Sequence, residues 1–113
     1  MEGDFISYDD FEKVDMRVGR IIEVEDFLEA KKRAYRLKVD FGSLGVKNSS
    51  AQITDLYSPE DLRGELVIAV VNFPPKRIAS FLSEILILGV TDDKGRVILL
   101  KPDMDAPLGS RVF

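Results

Sequence analysis

The chain has 113 residues, 45% of them hydrophobic, and carries 16 basic against 20 acidic side chains for a formal charge of −4. That length and apolar content predict one domain, residues 1–113, with a core of its own. Cysteine and histidine are both absent, which excludes disulfides, thiolate metal sites, thiol nucleophiles and every His-based catalytic pair, so a binding protein without a cofactor is expected rather than an enzyme.

Met1-Glu2-Gly3-Asp4 has neither a basic nor an apolar leader pattern, and no apolar run reaches membrane-spanning length, so a cytoplasmic location is expected. The charge is unevenly spread: residues 1–30 carry a net −7, residues 31–50 a net +5 and residues 51–113 a net −2. A basic island, Lys31, Lys32, Arg33, Arg36 and Lys38, therefore sits in an acidic chain. It reads either as a solvated loop and strand face or as a contact surface for a polyanion.

Ser7 with Asp10 three residues on predicts a capped short helix, with Phe11 and Val14 on one face. Val14, Met16, Val18, Ile21, Ile22 and Val24 predict a long strand bent at Gly19. Residues 27–33 read as a loop or a turn of helix. Tyr35, Leu37, Val39 and Phe41 alternate with Arg36, Lys38 and Asp40, predicting a strand that ends at Gly42. A loop over 43–48 and a short strand through Ser50, Gln52 and Thr54 are expected next.

Ser58-Pro59-Glu60-Asp61 is a helix start, cut short by Gly64. Leu66 to Phe73 predicts a strand buried on both sides, and Pro74-Pro75-Lys76-Arg77 an exposed, stiff connector. Ile85 to Val90 and Arg96 to Leu100 predict two further strands joined by an Asp92-Asp93-Lys94-Gly95 turn. Those two acids, like Asp103 and Asp105, lack a third carboxylate at a ligand spacing, and no metal site is expected. About six strands, with a helical turn between the third and fourth, fit an all-β OB-fold barrel, another small barrel or a split sandwich.

Four segments carry a family resemblance: Phe11 to Gly19, Ala34 to Gly42, Tyr57 to Gly64, and Val71-Asn72-Phe73-Pro74-Pro75-Lys76-Arg77-Ile78 with Ser83-Glu84. Together they resemble the tRNA-binding domains that occur alone or attached to methionyl- and other tRNA synthetases. Asn72 to Ala79, Ser83-Glu84 and Ser49 to Thr54 are most similar to the CsaA-type, secretion-related chaperones of that family. Where synthetase-attached members carry a methionine-rich stretch, this chain has Ile85-Leu86-Ile87-Leu88. The resemblance implies a five-stranded OB-fold barrel, extensions at both chain ends forming a homodimer interface, and tRNA or unfolded, export-destined polypeptides as partners.

On that footing Asn72, Lys76, Arg77 and Ser83 are the expected RNA-binding residues, an amide, two cations and a hydroxyl around one phosphate and sugar, with Arg33, Arg36 and Lys38 extending the surface. Strand capping and turn solvation are the competing roles for them. Phe73, Pro74, Pro75, Ile78 and Phe81, with Leu82, suit either a peptide groove or burial under a second subunit. Tyr35, Phe41 and Phe73 read as core rather than as base platforms, with Phe73, beside the proline pair, the one plausible groove lining. The strand start at Val14 and the end Arg111-Val112-Phe113 are the expected dimer contacts, because so short an apolar-faced helix needs a burial partner; packing on its own barrel is the alternative.

Overall fold

In the computed structural model, which describes residues 3–113, the first local signal acts as its chemistry requires. Ser7 Oγ accepts the Asp10 N–H at 3.0 Å while Asp10 accepts the Ser7 N–H, and this capping box starts α1 (Tyr8–Glu12). The N-terminal reading rests partly on Met1 and Glu2, which lie outside the described residues. No residue of α1 is buried.

Strand β1 (Met16–Asp26) follows and is shared between two partners. Its second half pairs antiparallel with β2 (Tyr35–Asp40), from Arg20↔Asp40 to Asp26↔Tyr35. The register shifts between Ile21 and Glu23, so the bulge sits at Ile22 and not at Gly19. Gly19 serves packing instead. A Cβ there would stand 2.5 Å from Val39 Cγ1 and 2.7 Å from Phe41, and its absence lets β1 and β2 side chains interlock inside the barrel.

β2 turns Tyr35, Leu37 and Val39 inward, as its alternation predicts, and Phe41 is fully buried beyond its end. A single 3-10 turn over Gly42–Leu44 leads into β3 (Val46–Ala51), which begins earlier than the polar sequence predicts. Pairing with β2 along Asp40↔Val46 to Tyr35↔Ala51 overrides the weak propensity of Lys47, Asn48 and Ser49. Buried Ser49 takes an inward position that a search for apolar periodicity passes over.

A second capping box, Ser58 with Asp61, starts α2 (Pro59–Leu62), whose Leu62 is buried in the core with Ile21, Val39 and Val67. β4 (Leu66–Val70) then pairs with the first half of β1, from Met16↔Val70 to Arg20↔Leu66. The segment expected to be a plain connector instead folds back on itself: β5 (Lys76–Ile78) and β6 (Phe81–Ser83) form a hairpin after Pro74-Pro75. The strand expected over Ile85–Val90 divides into β7 (Leu86–Ile87), paired with β4, and β8 (Gly89–Thr91), paired with β9 (Val97–Leu99).

The main sheet has the order β3-β2-β1-β4-β7. It closes where the Glu84 N–H donates to the Asn48 carbonyl at 2.8 Å, beside β3. Five strands in a nearly closed barrel, with α2 between the third and fourth, make an OB-fold. The C-terminal tail runs along the first half of β1: Val18 N–H donates to Ser110 O at 2.9 Å and Val112 N–H to Met16 O at 2.9 Å.

Candidate nucleic-acid interface

The β5–β6 hairpin carries Lys76 and Arg77, and its register sets Lys76 opposite Ser83 and Ile78 opposite Phe81. Its two-residue connection is Ala79-Ser80, with Ala79 at φ 54°. Glycine or asparagine normally occupies that left-handed region, so the sequence carries no turn signal there.

Three contacts hold the hairpin against the barrel. The Ser50 N–H donates to Ser83 Oγ at 3.2 Å, and the Asn48 N–H donates to Glu84 Oε1 at 3.0 Å. Phe81 meets Phe27 edge to face at 5.3 Å between centroids. The Arg36 guanidinium lies 5.7 Å from the Phe27 ring and 5.8 Å from the Phe81 ring.

Between this hairpin and the 27–34 loop lies an open groove of about 1100 Å³. Lys31 and Lys32 come from the loop wall, Lys76 and Arg77 from the hairpin wall, and Phe73 and Ile78 supply apolar surface. Glu29 and Glu84 are the carboxylates of the groove. Among the described residues none of the four cations has an ion-pair partner within 4 Å. All four are exposed, so four cations face solvent around a groove that holds two carboxylates, in a chain that is otherwise acidic.

Of the other residues expected at an RNA site, Ser83 lines the groove and Asn72, Arg33, Arg36 and Lys38 do not. Asn72 is outside the groove: its Oδ1 accepts the Asp15 N–H at 3.1 Å and its Nδ2 donates to the Lys13 carbonyl at 2.7 Å. Ser83 lines the groove while its hydroxyl accepts from β3. Arg36 and Lys38 border a separate depression of about 210 Å³, beyond the Phe27–Phe81 pair. There Arg36 is paired with Glu25 at 3.5 Å, and Lys38 stands opposite Glu23 in the register, so acids from β1 offset the basic face of β2. Arg36 Nε is buried without a hydrogen-bond partner. Arg33 is exposed in the loop but does not line the groove.

Of the residues expected to hold a peptide, Phe73, Pro74 and Ile78 line the groove, and Phe73 is 53% exposed. Pro75 is exposed but does not line it, and Phe81 is half-buried against Phe27. Tyr35 and Phe41 are core, and the Tyr35 hydroxyl donates to the Tyr57 carbonyl at 2.7 Å. Lys31 and Lys32 are the groove cations that sequence reading left out of the site; membership of the basic island was the only signal that could have found them.

The end of α1 and the C-terminal tail meet at the start of β1. Arg111 donates to the Glu12 carbonyl at 2.6 Å and approaches Asp15 Oδ1 at 3.6 Å, while Arg17 Nε lies 2.7 Å from the same carboxylate oxygen. Phe5 and Phe113 are 88% and 98% exposed. At the opposite hairpin, Asp92 is a turn residue whose Oδ1 accepts the N–H groups of Lys94 and Arg96 at 2.9 and 2.8 Å.

Comparison with known proteins agrees with this architecture. Residues 16–111 match the family model described as "Putative tRNA binding domain". The methionine–tRNA ligase of Thermococcus kodakarensis is 40% identical over 109 residues, which is 96% of this chain and 14% of the ligase, so the chain spans only a small part of such relatives. The crystal structure of chaperone CsaA from Bacillus anthracis superposes with a TM-score of 0.90 at 50% identity, covering 96% of this chain and 99% of that one. That of the CsaA chaperone protein from Picrophilus torridus superposes with a TM-score of 0.89 at 54% identity, covering 96% and 100%. With its OB-fold barrel and a match across nearly its whole length, the chain belongs to the family of tRNA-binding domains.

Proposed function

We propose that this chain is a non-catalytic tRNA-binding module that grips the RNA backbone through the groove between the 27–34 loop and the β5–β6 hairpin. The observation that carries this reading is the set of four unpaired cations, Lys31, Lys32, Lys76 and Arg77, gathered at one place on a chain of net charge −4. Family membership and the ligase relatives support the choice of tRNA among polyanions. A cytoplasmic location goes with that partner.

The module acts as a homodimer in this reading. Phe5, Tyr8 and Phe113 are exposed apolar side chains of the N- and C-terminal segments available to a second copy, and Arg111 ties the C-terminal tail to Glu12 at the end of α1. Two grooves related by a two-fold axis raise the avidity of a site with few cations. Sedimentation at micromolar concentration tests this, and a monomer contradicts it.

Titration of tRNA at rising salt tests the binding. Log affinity falls with log salt, and Lys76→Ala with Arg77→Ala reduces the slope by about 1.8 if each cation holds a duplex phosphate. Affinity indifferent to salt ends the RNA reading. One observation favours a second occupant: Phe73, Pro74 and Ile78 make the same groove partly apolar, and the two structural neighbours above are chaperones by name. Holding an unfolded, export-destined polypeptide there predicts binding with little salt response, lost on Phe73→Ser while folding survives.

A further inference from the structure

We infer that Phe81 and Arg36 are positioning residues for the groove: they hold the tip of the β5–β6 hairpin on Phe27, at the foot of the opposite wall, and so set how far Lys76 and Arg77 stand from Lys31 and Lys32. The inference rests on the reading of the groove as the tRNA site and adds what fixes its width.

The hairpin is anchored differently at its two ends. At its foot it is tied to β3 by hydrogen bonds, from the Ser50 N–H to Ser83 and from the Asn48 N–H to Glu84. At its tip, beside the Ala79-Ser80 turn, it meets the other wall through the Phe81 ring, 5.3 Å from that of Phe27. Phe27 is the foot of the 27–34 loop: it is buried, and its N–H donates to Ala34 O at 3.0 Å where the loop returns. The ring pair therefore joins one wall to the other.

Charge makes that junction necessary. Exposed cations on two facing walls repel each other, and the carboxylates of Glu29 and Glu84 offset only part of this. An edge-to-face ring contact opposes the spreading without adding charge. Arg36 strengthens it. Its guanidinium lies 5.7 and 5.8 Å from the two rings, and its Nε is buried without a hydrogen-bond partner. A buried N–H that lacks an acceptor is costly, and attraction to both rings offsets that cost only while the rings stay together. Phe81 and Arg36 line the small depression beyond the pair and not the groove, so they act on a groove ligand through Phe27.

The chain has no cysteine, so spin labels can be placed at Leu28→Cys and Ser80→Cys, exposed residues next to the two rings that do not line the groove. Strong dipolar broadening between the labels is expected, and a clear loss of it on adding Phe81→Ala or Arg36→Gln. In the unlabelled protein Phe81→Ala is expected to weaken tRNA binding by roughly 2- to 12-fold, the worth of one aromatic pair spent as a smaller population of joined walls. Phe81 is half-buried and outside the core cluster, so this variant should keep its circular dichroism spectrum. Phe27→Leu together with Phe81→Leu should cost no more affinity than the more damaging of the two alone, because both break one junction. Losses that add would mean that Phe81 touches the RNA itself, and would overturn the inference. Broadening that survives both Phe81→Ala and Arg36→Gln overturns it as well. If tRNA binds the parent with a steep salt dependence and Phe81→Ala changes neither broadening nor affinity, this inference falls while the functional reading stands. If the parent binds no tRNA, the functional reading falls, and the broadening alone decides whether the rings join the walls.

Discussion

Asn72 holds Asp15 in place: its Oδ1 accepts the Asp15 N–H at 3.1 Å while its Nδ2 donates to the carbonyl of Lys13 at 2.7 Å. One side chain thus clips the turn between α1 and β1 to the start of the Phe73-Pro74 wall. Asp15, once fixed, receives Arg17 at 2.7 Å and Arg111 at 3.6 Å, which ties in the C-terminal tail. The amide that a motif reading assigns to RNA contact has its oxygen and its nitrogen in hydrogen bonds within the chain.

Asn72→Ala removes both bonds, and a loss of about 1–3 kcal/mol in urea unfolding is expected. RNA affinity should drop only as far as the groove wall loosens, and the salt slope should stay at the parent value. A slope reduced as in the Lys76 and Arg77 variants would show that Asn72 meets the backbone of the ligand after all.

Arg36 is expected to act on the hairpin rather than on phosphate. Its guanidinium lies over two aromatic rings at 5.7 and 5.8 Å, and the compact, strongly hydrated ammonium of lysine is a poorer partner for both at once. Arg36→Lys should cost about 0.5–2 kcal/mol and speed amide exchange over Phe81–Ser83, while the charge-dependent salt slope is retained. Unchanged exchange in the hairpin would contradict the role.

The acid limb of stability should depend on the second capping box. The Ser58 N–H bond, followed by that with the Ser58 side chain, holds the Asp61 carboxyl below its ordinary value of 3.8, against a smaller opposing effect of burial. A group whose folded value is lowered stabilises the fold above the unfolded value and loses that contribution as pH falls through the folded one. Asp61→Asn should therefore lower the thermal midpoint near neutral pH, and the difference from the parent should shrink as pH is taken below about 4. Midpoints that stay equally far apart through that range would sink the assignment. Asp92, lowered chiefly by the Arg96 N–H, titrates in the same direction.

Ala79 at φ 54° invites a stabilising replacement. A left-handed backbone costs a residue with a Cβ about 1–2 kcal/mol, and glycine gives back roughly 0.5–1 kcal/mol of that through its looser unfolded chain. Ala79→Gly should be neutral to stabilising by about 1 kcal/mol, seen as a higher urea midpoint, whereas Ala79→Val should destabilise. A glycine variant that unfolds more easily would mean that the turn is unstrained.

Residues close along the chain were the legible ones. The capping boxes at Ser7 and Ser58 each join groups three residues apart, so the pattern and its hydrogen bonds are the same fact. The alternation of Tyr35, Leu37 and Val39 likewise states which face is buried before any partner strand is known. Where the determining contact is distant, neighbouring residues carry no sign of it. β3 starts early because β2 templates it, Gly19 makes room for Val39 and Phe41 instead of forming a bulge, and the β5–β6 hairpin forms across a turn with no glycine.

From sequence alone came an all-β chain with two capped helical turns, the absence of thiol and imidazole chemistry, and a basic island in an acidic chain, while the choice of an OB-fold barrel came through the family resemblance. Periodicity, caps and charge are carried by neighbouring residues, so folding does not alter them. Tertiary structure decided which cations share a groove. It brought Lys31 and Lys32 to Lys76 and Arg77, and it set Arg36 and Lys38 against Glu25 and Glu23 on the neighbouring strand. The reason is geometric: the two walls belong to segments far apart in the chain, and they face each other only once β1 has paired with both β2 and β4 and the barrel has closed at Asn48 and Glu84.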